Sequence, residues 1–168
     1  MAEENIVNIA VVGDTYVGKT NLIYSYAKDE FVEKYVSTVS QEYEMAGISY
    51  QNQQVRLTVI DNSALQEHES LREFAFSKAD GVIFCFSLAD WQRGNKDSLS
   101  LQSLQSVKNR WLPEFTRALQ KEKENKKDQA SERVIGVLCG TKADQMFTGF
   151  DLARSQSEEF KSQQVKID

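Results

Sequence analysis

The apolar positions of the chain fall into short continuous runs separated by polar loops and by repeats of helical spacing. Ile6-Val7-Asn8-Ile9-Ala10-Val11-Val12 has the length and continuity of a buried strand. It gives way to Gly13-Asp14-Thr15-Tyr16-Val17-Gly18-Lys19-Thr20, and Asn21-Leu22-Ile23-Tyr24-Ser25-Tyr26-Ala27 then starts a helix predicted over about residues 18–29. Residues 31–39 mix aromatic and polar types without a period and read as a loop. Residues 41–47 and 54–61 predict two strands of a hairpin around 48–52, with Arg56-Leu57-Thr58-Val59-Ile60 alternating polar and apolar.

A polar stretch, 61–72, leads to the apolar strand Gly81-Val82-Ile83-Phe84-Cys85-Phe86-Ser87. Leu101, Leu104, Val107, Trp111, Phe115, Ala118 and Leu119 then recur at helical spacing, and Pro113 inside that helix should bend it or free a carbonyl. Residues 121–133 are charged and mixed in sign, which predicts a solvated helix end or a flexible loop. A strand over 134–140, the polar string Thr141-Lys142-Ala143-Asp144, a short helix near 151–160 and Val165-Lys166-Ile167-Asp168, the start of a sixth strand, complete the chain.

Strands alternating with helices predict an α/β fold: one domain over residues 1–168, with a mostly parallel six-stranded sheet covered on both faces. Ligands in such folds sit at the carboxyl ends of the strands, where the polar strings fall.

Composition narrows the partners. With 40% apolar residues, 27% charged residues and a net charge of −5, the surface is unsuited to nucleic acid or to coating a membrane. No apolar run approaches the roughly 18 residues of a membrane helix, and the acidic Met1-Ala2-Glu3-Glu4 is not a signal peptide, so a cytoplasmic location is expected. Cys85 and Cys139 lie in apolar runs and read as buried free thiols. One histidine, His68, is too few for a histidine-rich metal site, and the absence of a cysteine near residue 168 predicts no lipid anchor.

Gly13 to Thr20 has the form Gly-x-x-x-x-Gly-Lys-[Ser/Thr]. Between a strand and a helix, such a loop turns its N–H groups and the helix N-terminus toward an anion, while the lysine reaches the β and γ phosphates and the hydroxyl meets Mg²⁺.

Together with Thr38, Asp61 at one strand end and Thr141-Lys142-Ala143-Asp144 at another, this loop makes the chain resemble the Ras superfamily of small GTPases, a P-loop NTPase fold. Tyr35-Val36-Ser37-Thr38-Val39, Phe84-Cys85-Phe86-Ser87-Leu88, Trp111-Leu112-Pro113-Glu114 and Cys139-Gly140-Thr141-Lys142 look most like its Rho/Rac branch. The resemblance implies GTP or GDP with Mg²⁺. Gly13, Tyr16, Val17, Gly18, Lys19, Thr20 and Asn21 would hold the phosphates. Thr20 and Thr38 would ligate the metal, and Asp61 would hold it through water. Phe31 would lie edge-on to the guanine and Tyr35 would close over the phosphates. The Ala64 N–H would meet the γ-phosphate, while Thr141, Lys142 and Asp144 would read the base.

The departures from the family are as informative. Its Asp-x-x-Gly-Gln reads Asp61-Asn62-Ser63-Ala64-Leu65, so Leu65 stands where a glutamine orients the attacking water, and a leucine cannot hydrogen-bond water. An alignment slid by one residue would instead bring Gln66 to that place. Thr15 and Tyr16 stand where small residues are usual. Hydrolysis is therefore expected to be slow or absent while binding is retained. The resemblance weakens after Asp144, where the family's last helix and lipidated tail are missing; a protein partner covering the sheet surface left there is the expectation.

Three other readings stand beside a locked switch or assembly subunit. A cycling enzyme would need an activating protein and its arginine finger. A structural module would have abandoned nucleotide, and a P-loop ATP kinase would not use Asp144 to select guanine.

Overall fold

The computed structural model describes residues 5–33, 37–50, 53–90, 101–125 and 134–146. The first apolar run forms β1 (Asn5–Gly13), the centre of a sheet. The glycine-rich loop follows, and α1 (Lys19–Lys28) begins one residue later than the apolar pattern predicts because Gly18 caps it. β2 (Ser40–Tyr50) and β3 (Gln53–Asn62) pair antiparallel with a register shift between Met45 and Ile48, so the hairpin strands run longer than predicted. The stretch read as polar folds into a 3₁₀ turn (Gln66–His68) and α2 (Glu69–Lys78). β4 (Gly81–Ser87) and β5 (Ile135–Thr141) follow the predicted strands closely.

The sheet order is β2-β3-β1-β4-β5, and β1/β3, β1/β4 and β4/β5 are parallel. Five strands therefore lie among the described residues; the expected sixth at 165–168, the helix near 151–160 and residues 126–133 of the charged stretch lie outside them. On β5, the outermost strand among the described residues, Ile135, Val137 and Leu138 are exposed. No helix among the described residues is long and apolar enough to cross a membrane.

Period-two alternation along the central strands divides the core. Ala10, Val12, Ile60, Val82 and Phe84 face α2 and the long helix after β4, packing with Phe76, Trp111 and Phe115. Val11, Val59 and Cys85 face the other way, against Val17 and Ile23. Phe115 meets Phe76 and Phe84 edge to face at 5.3 and 5.7 Å. Each such side chain contributes about 1.5–3 kcal/mol on burial.

The helical repeat after β4 is not uniform. α3 (Gln102–Ser106) passes into a π turn (Val107–Trp111) and then into α4 (Leu112–Asn125). Pro113 has no N–H and its ring would collide with the carbonyl one turn back in an unbroken α-helix. The chain widens just before it instead: the Leu112 N–H donates to the Val107 carbonyl, five residues back. The expected bend or freed carbonyl takes the form of this π turn. α5 (Ala143–Met146) follows β5.

Candidate functional site

β1, β3 and β5 all end at one edge of the sheet, and a cavity of about 550 Å³ opens there between the phosphate-loop motif, residues 31–33 and 37–41, the end of β3 and the start of α5. Gly13 ends β1 at φ 149°, and a methyl group added there would collide with the Cys85 carbonyl oxygen. Gly18 caps α1 at φ 103°. Only glycine takes up such backbone easily, and this lets the loop turn back over the helix N-terminus. Tyr16 (φ 65°) and Lys142 (φ 57°) also hold left-handed backbone, and both line the cavity. Strained backbone of this kind gathers at functional sites.

Lys19, the first residue of α1, is buried, and its Nζ donates to the Gly13 and Asp14 carbonyls at 2.9 and 2.8 Å. Burial lowers its pKa from the ordinary lysine value, an effect that Asp61 partly offsets. An anion in the cavity would favour the charged form. The Thr20 hydroxyl donates to Asp61 Oδ2 at 2.6 Å and lies 3.4 Å from the Thr38 hydroxyl, so a helix start, a loop and a strand end converge on one carboxylate.

Asp61 is fully buried, and its Oδ1 has no hydrogen-bond partner. Burial raises its pKa, while the Thr20 and Thr38 hydroxyls and Lys19 work against the rise. An orphaned carboxylate oxygen beside two hydroxyls is the hard donor set that suits Mg²⁺. No cluster of three or more His, Cys, Asp or Glu suited to a metal lies among the described residues. A cation here would therefore rest on hydroxyls and one carboxylate.

The remaining predicted residues divide. Thr15, Asn21, Phe31, Ala64, Leu65 and Lys142 line the cavity. The Asn21 side chain is held by Val32, donating from Nδ2 to its carbonyl at 3.1 Å and accepting from its N–H at 2.9 Å. Val17 is a buried residue of the loop, and the Thr141 hydroxyl lies within hydrogen-bonding distance of the Val17 and Phe86 carbonyls. Asp144 is exposed in the first turn of α5 and is not part of the cavity wall; Gln145, its neighbour, is. Tyr35 lies outside the described residues.

Leu65 faces the cavity and is 43% exposed. Gln66 turns to the surface, its Nε2 donating to Glu69 Oε2 at 2.5 Å.

Sequence spacing missed the group that supports this wall. Arg72, fully buried, donates from Nε to Glu114 Oε1 at 2.6 Å and from Nη1 to the Ser63 and Leu65 carbonyls at 2.9 and 2.6 Å. Arg110 Nη2 donates to the Ala64 carbonyl at 2.6 Å. The only signal in the sequence was an arginine and a glutamate set among apolar helix positions. Asn62, Ser63, Tyr24 and Tyr43 also line the cavity without having been singled out.

Comparison with known proteins agrees with this geometry. The Rho-related GTP-binding protein RhoB of Homo sapiens, of Mus musculus and of Rattus norvegicus is in each case 34% identical over 106 residues, 63% of this chain and 48% of the relative. The chain thus spans about half the length of these curated relatives. A Ras family model matches residues 8–166, through every element that walls the cavity, and the chain belongs to the Ras family.

Proposed function

We propose that the chain binds a guanine nucleotide with Mg²⁺, hydrolyses GTP slowly or not at all, and works through protein contacts as a persistently loaded switch or a fixed assembly subunit. In this reading the N–H groups of the phosphate loop and the Lys19 ammonium bind the phosphates. Thr20 and Thr38 ligate the cation, with Asp61 behind them holding it through water. Phe31 and the Lys142 stem flank the base, Thr141 fixes the loop beneath it, and Asp144 selects guanine by accepting from its N–H groups. The cation would neutralise charge between the phosphate oxygens.

One observation carries the slow-hydrolysis part. The cavity wall next to Thr38 and Asp61 presents the Leu65 side chain, which can neither donate to nor accept from a water, while the Gln66 amide is engaged with Glu69 at the surface. Thr15, bulkier than the residue usual at its place, lines the same cavity.

The test is chromatography of the nucleotide released by heat from natively purified protein, followed by single-turnover hydrolysis. Retained GTP and slow turnover are expected. Turnover at a rate normal for small GTPases, lost on Gln66→Ala, would overturn the reading in favour of a cycling enzyme; absence of guanine nucleotide would overturn it altogether.

A further inference from the structure

Cys85 and Cys139 are the only cysteines of the chain, and they are register partners on β4 and β5. Both are free thiols. Partners in a parallel ladder point to the same face, and both side chains belong to the apolar cluster under α1. Adjacent strands lie about 4.7–4.9 Å apart, inside the roughly 4.4–6.8 Å Cα separation that a disulfide spans, and the parallel Cβ atoms must close by a few tenths of an ångström to reach its usual Cβ separation of about 3.5–4.5 Å.

The two thiols are not equivalent. Cys85 is fully buried, whereas Cys139 is half-buried on the outermost strand of the described sheet. The neighbouring Cys85 thiol lowers the Cys139 pKa to about 7, and the same neighbourhood, with burial, raises that of Cys85. Cys139, the more accessible of the two, has the character of the attacking thiolate and Cys85 that of a resolving thiol.

We propose that Cys85 and Cys139 form a peroxide-oxidisable dithiol whose cross-strand disulfide weakens the cavity's hold on its nucleotide. The Cys139 thiolate attacks a peroxide oxygen, giving a sulfenic acid and hydroxide. The Cys85 sulfur then attacks that sulfenic sulfur, forming the S–S bond and expelling water. Two thiols and one hydrogen peroxide become one disulfide and two waters.

The bond would act on the site through the backbone on both sides. The Cys85 carbonyl abuts Gly13, the first glycine of the phosphate loop. Thr141, two residues beyond Cys139, ties Val17 to Phe86, and Lys142 follows it into the cavity. This coupling rests on the nucleotide-binding reading above.

The full chain, reduced and loaded with a fluorescent guanine nucleotide, is treated with hydrogen peroxide and its nucleotide release followed; a sample is then unfolded in denaturant, blocked with N-ethylmaleimide and weighed intact. Loss of about 2 Da with neither thiol blocked is expected, together with nucleotide release faster by about tenfold and reversal by dithiothreitol. Cys85→Ser and Cys139→Ser should each abolish both effects.

A gain of one or two oxygens on Cys139 with Cys85 still blocked, or a disulfide-linked dimer, overturns the dithiol. The disulfide without faster release overturns the coupling. Failure of the reduced protein to retain nucleotide at all overturns the binding reading, and the coupling with it, while the mass measurement still decides the dithiol.

Discussion

The indole N–H of Trp111 donates to Asp14 Oδ1 at 2.9 Å, joining the π turn to the second residue of the phosphate loop. Trp111 is fully buried, and its ring lies under the Arg110 and Arg72 guanidinium groups at 4.2 and 5.3 Å. Those two arginines hold the Ser63, Ala64 and Leu65 carbonyls. The phosphate loop and the wall opposite it are therefore braced from one side chain. Trp111→Phe should lower stability by about 2–3 kcal/mol, from the lost bond and the space left behind, and speed nucleotide release. Asp14→Asn, which keeps an acceptor oxygen, should be milder. Urea unfolding midpoints distinguish the two.

Arg72 and Glu114 form an ion pair almost wholly removed from water. Removing one partner strands the other, so Arg72→Ala or Glu114→Ala should each lower stability by about 3–5 kcal/mol. The double variant should lose clearly less than the sum. A double-mutant cycle in denaturant measures the difference, and simple additivity would contradict the coupling.

Gly13→Ala tests the close approach of β1 to β4. The added methyl meets the Cys85 carbonyl oxygen, at a φ that disfavours any side chain. A loss of about 3 kcal/mol in thermal or chemical unfolding is expected, with nucleotide retention abolished.

Asp61 gives the metal-free protein a pH signature. Burial holds its folded pKa above the ordinary 3.8, so the folded state keeps a proton that the unfolded chain releases. Stability should then fall as the pH rises from about 4 through the raised value, and level off above it. Asp61→Asn should flatten this slope and weaken the effect of Mg²⁺ on nucleotide release. Unfolding in chelator across pH reads the first, and release rates with and without Mg²⁺ read the second.

Leu65→Gln puts an amide where the cavity wall has none. Single-turnover GTP hydrolysis should rise about tenfold, less than a well-placed general catalyst contributes because Thr15 still crowds the wall. Thr15→Gly on that background should raise it further. No change in either variant would mean that the wall does not set the rate.

What could be read in advance follows from range. β1, α1 and the phosphate loop are local patterns, so their boundaries were recoverable within a residue or two, and the Thr20, Thr38 and Asp61 side chains come together at the end of β3. The brace of Arg72, Arg110, Trp111 and Glu114 depends on pairings such as Asp14 with Trp111, 97 residues apart, which no window along the chain reveals. α2 was missed because its apolar residues, Leu71, Phe74, Ala75 and Phe76, do not keep to one stripe; Leu71 and Phe74 face outward while Ala75 and Phe76 are buried. Pro113 announced a disturbance, but its form depended on the carbonyl geometry one turn earlier.

That disturbance makes the helix after β4 intolerant of changes in length. An α-helix advances about 100° per residue, so the one extra residue in the Val107–Trp111 turn sets the rotational phase between Leu104 on one side and Phe115 on the other. Deleting Asn109 would regularise the hydrogen bonding, yet it would swing Trp111 away from either Asp14 or the core. At this point of the chain the count of residues, more than their kind, holds the phosphate loop in place.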